Sequence, residues 1–534
     1  MFMARSYGSF LQRNWHAFVL VVVGVASRML YHIAYTPWWC GDSAGYSDSY
    51  YLWVHRYFTV AARTPVYPLF LGLVQLLSGV PPAVRLATSA ANMATLLQSL
   101  CGIIAVCLLY YTLRILLQSP WIAFLAALFF SVLVGACEFE MLILAESLSL
   151  FALVLGAWLY TRTMAAVADA RNPVRLSVVT GAAFGCAALL RPENLVFFFI
   201  LVLVTAAQYL RSRSIPSRRG QVRGLAVVVL LLPLSAAPLV LAWTTWNFFG
   251  IGQFRITTLT GWNLSATTYN MFDRVEPKDR VLGEIASRNF AKRNQGSIVR
   301  GHIWSAYDEL VARHDEMPIK RSRPISRTSP DAMRRLIGRI DHAFGMRPAD
   351  LLYSDLGDYI GSVSAQLIRR YPRDWLSNIA DNFVRDTFQF NYEAPDSLES
   401  SDAQSPTGGI VVRYGRLRNL LSQWNGVQRP ILKLCYIVLL SYVILGPWIA
   451  AKRLNPNFLR DTTVIALAMG TLGTFIACCI VVAYNVQYGV PHLGVLVVCV
   501  AYAADHGLRI FEKLCSRRSH EADPVAVLHP APRA

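Results

Sequence analysis

Apolar runs about 20 residues long recur along this chain of 534 residues, and they constrain its fold more than any other feature. A helix of that length rises about 30 Å, which is the thickness of the hydrocarbon core of a bilayer. Hydrophobic residues make up 54% of the sequence and charged residues 15%, which excludes an ordinary soluble enzyme. We therefore predict an all-α polytopic membrane protein with about ten transmembrane helices. The predicted spans lie near residues 16–35, 86–113, 121–138, 141–160, 176–190, 194–210, 224–247, 431–450, 462–484 and 491–511.

Basic residues between the spans predict the orientation. The net charge of +18 would suit a nucleic-acid partner, but many arginines and lysines lie in short loops such as 211–223 and 451–460. The positive-inside rule explains that placement without nucleic acid, and with ten spans it puts both termini in the cytoplasm. We expect a multi-pass protein of the plasma (inner) membrane, with its functional site on the outer or periplasmic face.

This topology divides the chain into four parts. The longest polar stretch falls on the outer side, and we expect it to be an insertion of mixed or mainly helical structure. An amphipathic segment near 362–388 within it is typical of an interfacial helix. The four parts are an N-terminal membrane module with the first outer loop 36–85 (1–247), the outward-facing insertion (248–430), the C-terminal spans (431–511) and a cytoplasmic tail (512–534).

Ionisable residues collect at the outer ends of the predicted spans. Such residues are expensive at membrane depth and usually face a partner or a wet cavity. Acids and arginines from separate segments on one face therefore predict an outward polar cavity for an anionic substrate. The candidates, with nearby aromatic and polar residues, are Arg28, Asp42, Tyr46, Asp48, Arg63, Glu140, Glu146, Arg191, Glu193, Gln487, Tyr488 and His492.

The order of several short motifs carries a family resemblance. They are "DSAGY" at 42–46, "RTPVYPLFL" at 63–71, "LILAESL" at 142–148, "LLRPENL" at 189–195, "NFFGIGQFRITTLTGWNL" at 247–264, "IRRYPRDWL" at 368–376 and "QYGVPHLGVLV" at 487–497. Together they resemble the GT-C fold glycosyltransferases of the family 39-like group, which includes dolichyl-phosphate-mannose protein mannosyltransferases and aminoarabinose transferases. Two positions depart from that pattern: Ser43 follows Asp42 where a second acid is often found, and Gln487 stands where an arginine often precedes the tyrosine.

The resemblance implies transfer of a sugar from a polyprenyl-phosphate carrier to an outward-facing glycolipid, cell-envelope polysaccharide or protein. Arginine forks would stabilise the charge that develops on the leaving phosphate, and a carboxylate would accept the proton of the acceptor. Inverting single displacement needs no enzyme nucleophile, and no metal-ligand spacing occurs. We therefore predict no cofactor and no obligatory metal, and a role for a divalent metal stays open. We assign Asp42 as the base. The predicted donor-binding residues are Tyr46, Arg63, Glu146, Arg191 and Tyr488, and the lesser candidates are Arg28, Asp48, Glu140, Glu193, Gln487 and His492.

Other interpretations of these residues remain open. Asp42 could be a solvated acid or a helix N-cap, Arg191 and Glu193 could form an ion pair that closes a hairpin, and Tyr46 could belong to an aromatic belt.

Other functions remain open as well. One alternative is an enzyme like the O-antigen ligases and polymerases, with a diphosphate-linked donor and histidines such as His302, His314 and His342. Another is a transporter or flippase for a lipid-linked anion, which would carry inverted repeats that we do not find in the sequence. A membrane scaffold that binds a partner through 248–430 is the third.

Overall fold

The computed structural model describes most of the membrane portion and parts of the predicted insertion. Within these residues the only β-type pairing is an isolated bridge between Trp38 and Leu142. The absence of a strand from the described residues confirms the all-α fold class. The described residues are 2–38, 41–55, 63–81, 88–213, 219–293, 306–319, 352–388, 415–452, 458–481 and 490–521.

The described helices follow one another in the order that the hydropathy pattern predicts. Short 3-10 turns occupy Tyr269–Arg274, Pro277–Asp279, His314–Glu316 and Val490–His492. The helices are α1 (Phe2–Ala34), α2 (Gly41–Val54), α3 (Val66–Leu77), α4 (Thr88–Leu116), α5 (Pro120–Ser131), α6 (Val134–Glu140), α7 (Glu146–Ala168), α8 (Val174–Leu190), α9 (Asn194–Arg213), α10 (Arg219–Ile251), α11 (Thr260–Thr268), α12 (Arg280–Arg293), α13 (Tyr307–Ala312), α14 (Leu352–Arg370), α15 (Pro372–Phe388), α16 (Gly415–Lys452), α17 (Phe458–Val481) and α18 (Leu493–Glu521).

Seven of these helices are long and apolar enough to cross a membrane, and α5 with α6, bent by 47°, would make an eighth among the described residues. The chain is therefore a multi-span membrane protein. The 17 residues of α8 are shorter than an ordinary span. The 38 residues of α16 rise about 57 Å, so one helix runs from the predicted insertion into the predicted eighth span. The count of ten spans remains a prediction.

The third predicted span is broken into α5 and α6. Ser119 caps the start of α5 by accepting a hydrogen bond from a backbone N–H, and Pro120 occupies the first turn, where its missing N–H is harmless. Gln428 of α16 bridges the break, donating to the carbonyl oxygen of Val132 at 2.8 Å and accepting from the N–H of Val134 at 2.9 Å. The backbone groups that the bend leaves without helical partners are thus satisfied by another helix.

Small residues let the membrane helices approach closely. At Gly181 of α8, a Cβ atom would lie only 2.3 Å from the carbonyl oxygen of Leu232 in α10. At Gly156 of α7, it would lie 2.8 Å from the ring of Phe184. Van der Waals packing at such small-residue positions holds helices together where lipid offers no hydrophobic driving force.

The predicted insertion has a hydrophobic core of its own, formed by α11 to α14 around Trp262, Phe272 and Leu356. A Cβ atom on Gly261 of α11 would lie 1.8 Å from the carbonyl oxygen of Gly357 in α14, so these helices meet backbone to backbone. The predicted interfacial segment 362–388 comprises the end of α14 and all of α15, which begins at Pro372.

Candidate active site

A cavity of about 220 Å³ lies where the ends of membrane helices meet the predicted insertion. Five charged residues from the predicted site line this cavity, together with Tyr46. The predicted insertion contributes Thr257, Leu259, Thr260 and Asn263 to the lining, and α17 contributes Ala477 and Cys478. The lining residues are Asp42, Tyr46, Arg63, Thr64, Glu146, Leu190, Arg191, Pro192, Glu193, Val196, Thr257, Leu259, Thr260, Asn263, Ala477 and Cys478.

Asp42 and Arg63 form one ion pair in this cavity. Asp42 lies in the first turn of α2, and Arg63 precedes α3; its Nη2 lies 2.5 Å from Asp42 Oδ1. The guanidinium also covers the ring of Tyr46, 4.9 Å from its centroid, and Gly45 leaves the space that Arg63 Nε occupies. Burial lowers the pKa of Arg63, but the Asp42 carboxylate more than compensates, so the pKa lies above its usual value. The Asp42 side chain remains 42% exposed.

Arg191 is the centre of a second cluster. It lies between α8 and α9, where its guanidinium pairs with Glu146 at the start of α7 and with Glu193. Arg191 and Glu146 are buried, and Glu146 Oε2 accepts no hydrogen bond from the described residues. Arg191 lies in the turn between α8 and α9, and Glu146 follows the non-helical residues between α6 and α7. The fold thus brings together two charges that are 45 residues apart in sequence.

The charged side chains of the cavity comprise three acids and two arginines. Because the acids are in excess, an anionic ligand would bind only by taking an arginine from its present partner. Among the described residues, no group of three or more His, Cys, Asp and Glu side chains is arranged to hold a metal ion.

The insertion contributes residues that sequence reasoning did not single out. Thr257, Thr260 and Asn263 belong to the motif quoted at 247–264. The sequence therefore indicated that this segment matters, but it did not indicate which of its side chains line the cavity. Tyr353 of α14 stacks on Trp262, with ring centroids 5.3 Å apart, and interacts electrostatically with the Asp42–Arg63 pair. Burial raises the pKa of the Tyr353 hydroxyl.

Arg28 and Glu140 do not line the cavity but form a buried pair beside it. Arg28 donates two hydrogen bonds to the Glu140 carboxylate, at 2.8 and 3.0 Å. Gln98 donates to the Glu140 carbonyl oxygen at 2.8 Å and accepts from the Tyr67 hydroxyl at 2.8 Å. Since Tyr67 packs edge-on against Tyr46, this polar network supports one wall of the cavity from behind. Tyr46 is buried in protein, so it is not part of a lipid-facing aromatic belt.

The remaining candidates lie elsewhere. Asp48 shares α2 with Asp42 but does not line the cavity. His492 is buried between Phe197 and Phe475, and neither ring nitrogen has a hydrogen-bond partner among the described residues. Outside the described residues lie Gln487 and Tyr488.

A family comparison matches the part of the chain that carries most of this cavity. Residues 18–248 match the family model of the dolichyl-phosphate-mannose-protein mannosyltransferases. This match confirms the resemblance to GT-C glycosyltransferases. The matched range contains all five charged residues of the cavity and ends where the predicted insertion begins. No curated protein sequence matches the chain.

The solved structures that match this chain are distant from it in sequence. An oligosaccharyltransferase, AglB, from Archaeoglobus fulgidus with an inhibitory peptide and dolichol-phosphate is 11% identical, with 98% of this chain and 53% of that chain covered and a TM-score of 0.48. An oligosaccharyltransferase from Archaeoglobus fulgidus in the apo form is 13% identical, with 98% of this chain and 54% of that chain covered and a TM-score of 0.47. ArnT from Cupriavidus metallidurans bound to undecaprenyl phosphate is 15% identical, with 87% of this chain and 77% of that chain covered and a TM-score of 0.31. The chain spans about half the length of the archaeal structures.

Proposed function

We propose that this protein is a glycosyltransferase that moves a sugar from a polyprenyl-phosphate-linked donor to an outward-facing acceptor. The observation that carries the proposal is the cavity in which Asp42, Arg63 and Arg191 meet beneath the insertion. The family match over residues 18–248 supports the same activity. The acceptor is a glycolipid, a cell-envelope polysaccharide or a protein. The proposed location is the plasma (inner) membrane, with cytoplasmic termini and the site on the outer face.

The two arginines would bind the donor phosphate. Arg63 and Arg191 come from different loops and line the same cavity, so two guanidinium groups can approach one phosphodiester. The phosphate gains negative charge as its bond to the sugar breaks. Fixed guanidinium groups stabilise that charge more in the transition state than in the ground state, which accelerates the reaction. Glu146 and Glu193 would hold Arg191 in place until the donor arrives.

Asp42 would act as the base after Arg63 changes partner. While Arg63 Nη2 lies 2.5 Å from Asp42, the arginine stabilises the carboxylate and weakens it as a base. A phosphodiester that binds Arg63 would draw it away from Asp42. The freed carboxylate, which is 42% exposed, can then accept a proton from the acceptor. Donor binding thereby prepares the base.

The reaction is a single displacement that balances without a further reactant. The acceptor oxygen or nitrogen forms a bond to the anomeric carbon while the bond from that carbon to the phosphate oxygen breaks. The proton of the acceptor goes to Asp42, and the carrier leaves as a phosphate monoester. The configuration at the anomeric carbon inverts.

Asp42→Asn and Asp48→Asn provide a matched pair of variants on one helix. Purified protein would be given radiolabelled polyprenyl-phosphate sugars together with a lysate that supplies acceptors. Loss of a general base lowers the rate by about 10²–10⁴-fold, so we expect that loss for Asp42→Asn with donor binding retained. Asp48→Asn should keep the wild-type rate because Asp48 does not line the cavity. Full activity of Asp42→Asn would exclude Asp42 as the base.

The diphosphate alternative has less support. His314 Nδ1 forms a hydrogen bond with the Val311 carbonyl oxygen at 2.6 Å, and this residue does not line the cavity. His302 and His342 lie outside the described residues. Diphosphate-linked sugars in the same assay would separate the two donor classes. Exclusive use of a diphosphate donor would replace the proposal, and donor binding without turnover would favour a transporter.

A further inference from the structure

A second cleft, of about 300 Å³, lies wholly within the outer insertion. It is bounded by the two 3-10 turns that precede α12 and by the C-terminal half of α14. None of its residues lines the first cavity. The lining residues are Arg274, Val275, Glu276, Asp279, Val363, Gln366, Leu367, Arg369 and Arg370.

The floor of this cleft contains a buried carboxylate with one unused oxygen. Asp279 is 2% exposed, and its Oδ1 accepts a hydrogen bond from the Tyr359 hydroxyl at 2.8 Å. Its Oδ2 has no hydrogen-bond partner among the described residues. A buried polar atom without a partner is uncommon, and this oxygen needs a donor that the described residues do not supply. The buried side chains of Val363 and Leu367 give the floor an apolar surface beside that oxygen.

The rim of the cleft is rich in exposed hydrogen-bond donors. Arg274 pairs with Asp374 at 2.5 Å, and Arg370 lies 3.9 Å from Glu276. No ion pair of Arg369 occurs among the described residues, so its guanidinium is available to a ligand together with the amide of Gln366 at the same rim.

The chemistry of floor and rim selects a class of ligand. A cation would suit Asp279 but would be repelled by the three arginines, and a bare anion would suit the arginines but be repelled by Asp279. A neutral polyhydroxyl compound satisfies both, because each hydroxyl can donate to a carboxylate and accept from a guanidinium or amide. The apolar face of a sugar ring can lie on Leu367, and a cleft of this volume is large enough for such a ligand.

We propose that this cleft binds a sugar residue of the acceptor, so that the acceptor is a glycan chain; this inference rests on the proposed function. Tyr353, beside the first cavity, and Leu367, in the cleft, are separated by 14 residues of α14. At about 1.5 Å per residue, that is ~21 Å. A ligand that occupies both places must extend over several sugar residues, which a monosaccharide cannot do.

The test is binding of fluorescently labelled tetrasaccharides of mannose, glucose, galactose and N-acetylglucosamine to the detergent-solubilised full chain. We expect at least one of them to bind the wild type. Asp279→Asn should weaken that binding by about tenfold or more, since it removes a charged hydrogen-bond acceptor. Arg369→Ala should weaken it several-fold. Arg373→Ala, which removes an exposed arginine of α15 outside the cleft, should leave it unchanged.

Two results would overturn the inference: no binding of any of the four tetrasaccharides, or binding that neither Asp279→Asn nor Arg369→Ala weakens. Arg369 is exposed, so Arg369→Ala keeps the test valid if Asp279→Asn does not fold. In the first case, binding of a labelled serine- and threonine-rich peptide would identify a protein acceptor instead. Release of polyprenyl phosphate from the donor, measured separately, tests the proposed function. Tetrasaccharide binding without that release would reject the enzyme and keep the sugar site.

Discussion

The buried pair of Arg28 and Glu140 allows a quantitative test of the membrane module. The two side chains are 3% and 4% exposed, and two hydrogen bonds join them. Gly102 of α4 packs directly against the pair, since a Cβ atom there would lie 1.9 Å from Glu140 Oε1. Glu140→Gln keeps the size of the side chain but leaves the Arg28 charge without its counter-ion.

The expected loss of stability follows from this burial. Two unit charges about 4 Å apart interact by ~4 kcal/mol at an effective dielectric constant of about 20, and breaking a buried pair from one side costs about 3–5 kcal/mol. With about 2.1 cal/mol/K per residue, a chain of 534 residues has an unfolding entropy of roughly 1.1 kcal/mol/K. We therefore expect Glu140→Gln to lower the unfolding temperature by about 3–5 °C.

The assay is thermal unfolding of the detergent-solubilised protein, followed by tryptophan fluorescence. Glu284→Gln is the control, because it breaks an exposed i,i+4 pair with Arg280 and should give no resolvable shift. The double variant Arg28→Met with Glu140→Leu should recover most of the loss, since it leaves no unpaired charge. A Glu140→Gln variant as stable as the wild type, or a double variant less stable than the single one, would refute the reasoning.

Three further predictions concern the cavity and the insertion. Arg191→Lys replaces the planar guanidinium group by a single ammonium group and should lower sugar transfer about 10–100-fold in the radiolabel assay. An unchanged rate would exclude a bidentate contact of Arg191 with the donor phosphate. Gly45→Ala would put a Cβ atom 2.9 Å from Arg63 Nε, so transfer should fall roughly tenfold while the unfolding temperature stays constant. A wild-type rate would contradict that placement of Arg63. Gly261→Ala would force α11 away from Gly357, so limited proteolysis should cut the insertion faster, and a wild-type digestion pattern would count against the close contact.

The hydropathy pattern predicted the helical fold because it depends on local composition. A run of about 20 apolar residues satisfies its own backbone hydrogen bonds as a helix and matches the hydrocarbon core. The same reasoning predicted that Asp42, Arg63, Glu146 and Arg191 approach one another on the outer side. Their short flanking motifs also carried the family resemblance that the comparison confirmed over residues 18–248.

The choice of partners among those charges depended on the tertiary structure. The sequence offers Arg28, Arg63 and Arg191 as equal counter-ions for several acids, and their partners are decided by which helix faces meet. Glu140 pairs with Arg28 across 112 residues, beside the cavity but not in its lining, while Glu146, six residues later, pairs with Arg191 inside it. The break between α5 and α6 and the approach of the insertion to the cavity likewise rest on contacts between distant segments. The sequence by itself determined which segments form long apolar helices and which charges lie near the ends of those helices. Only the packing of those helices decided which charges meet, because an ion pair needs two side chains in one place and sequence spacing does not encode that distance.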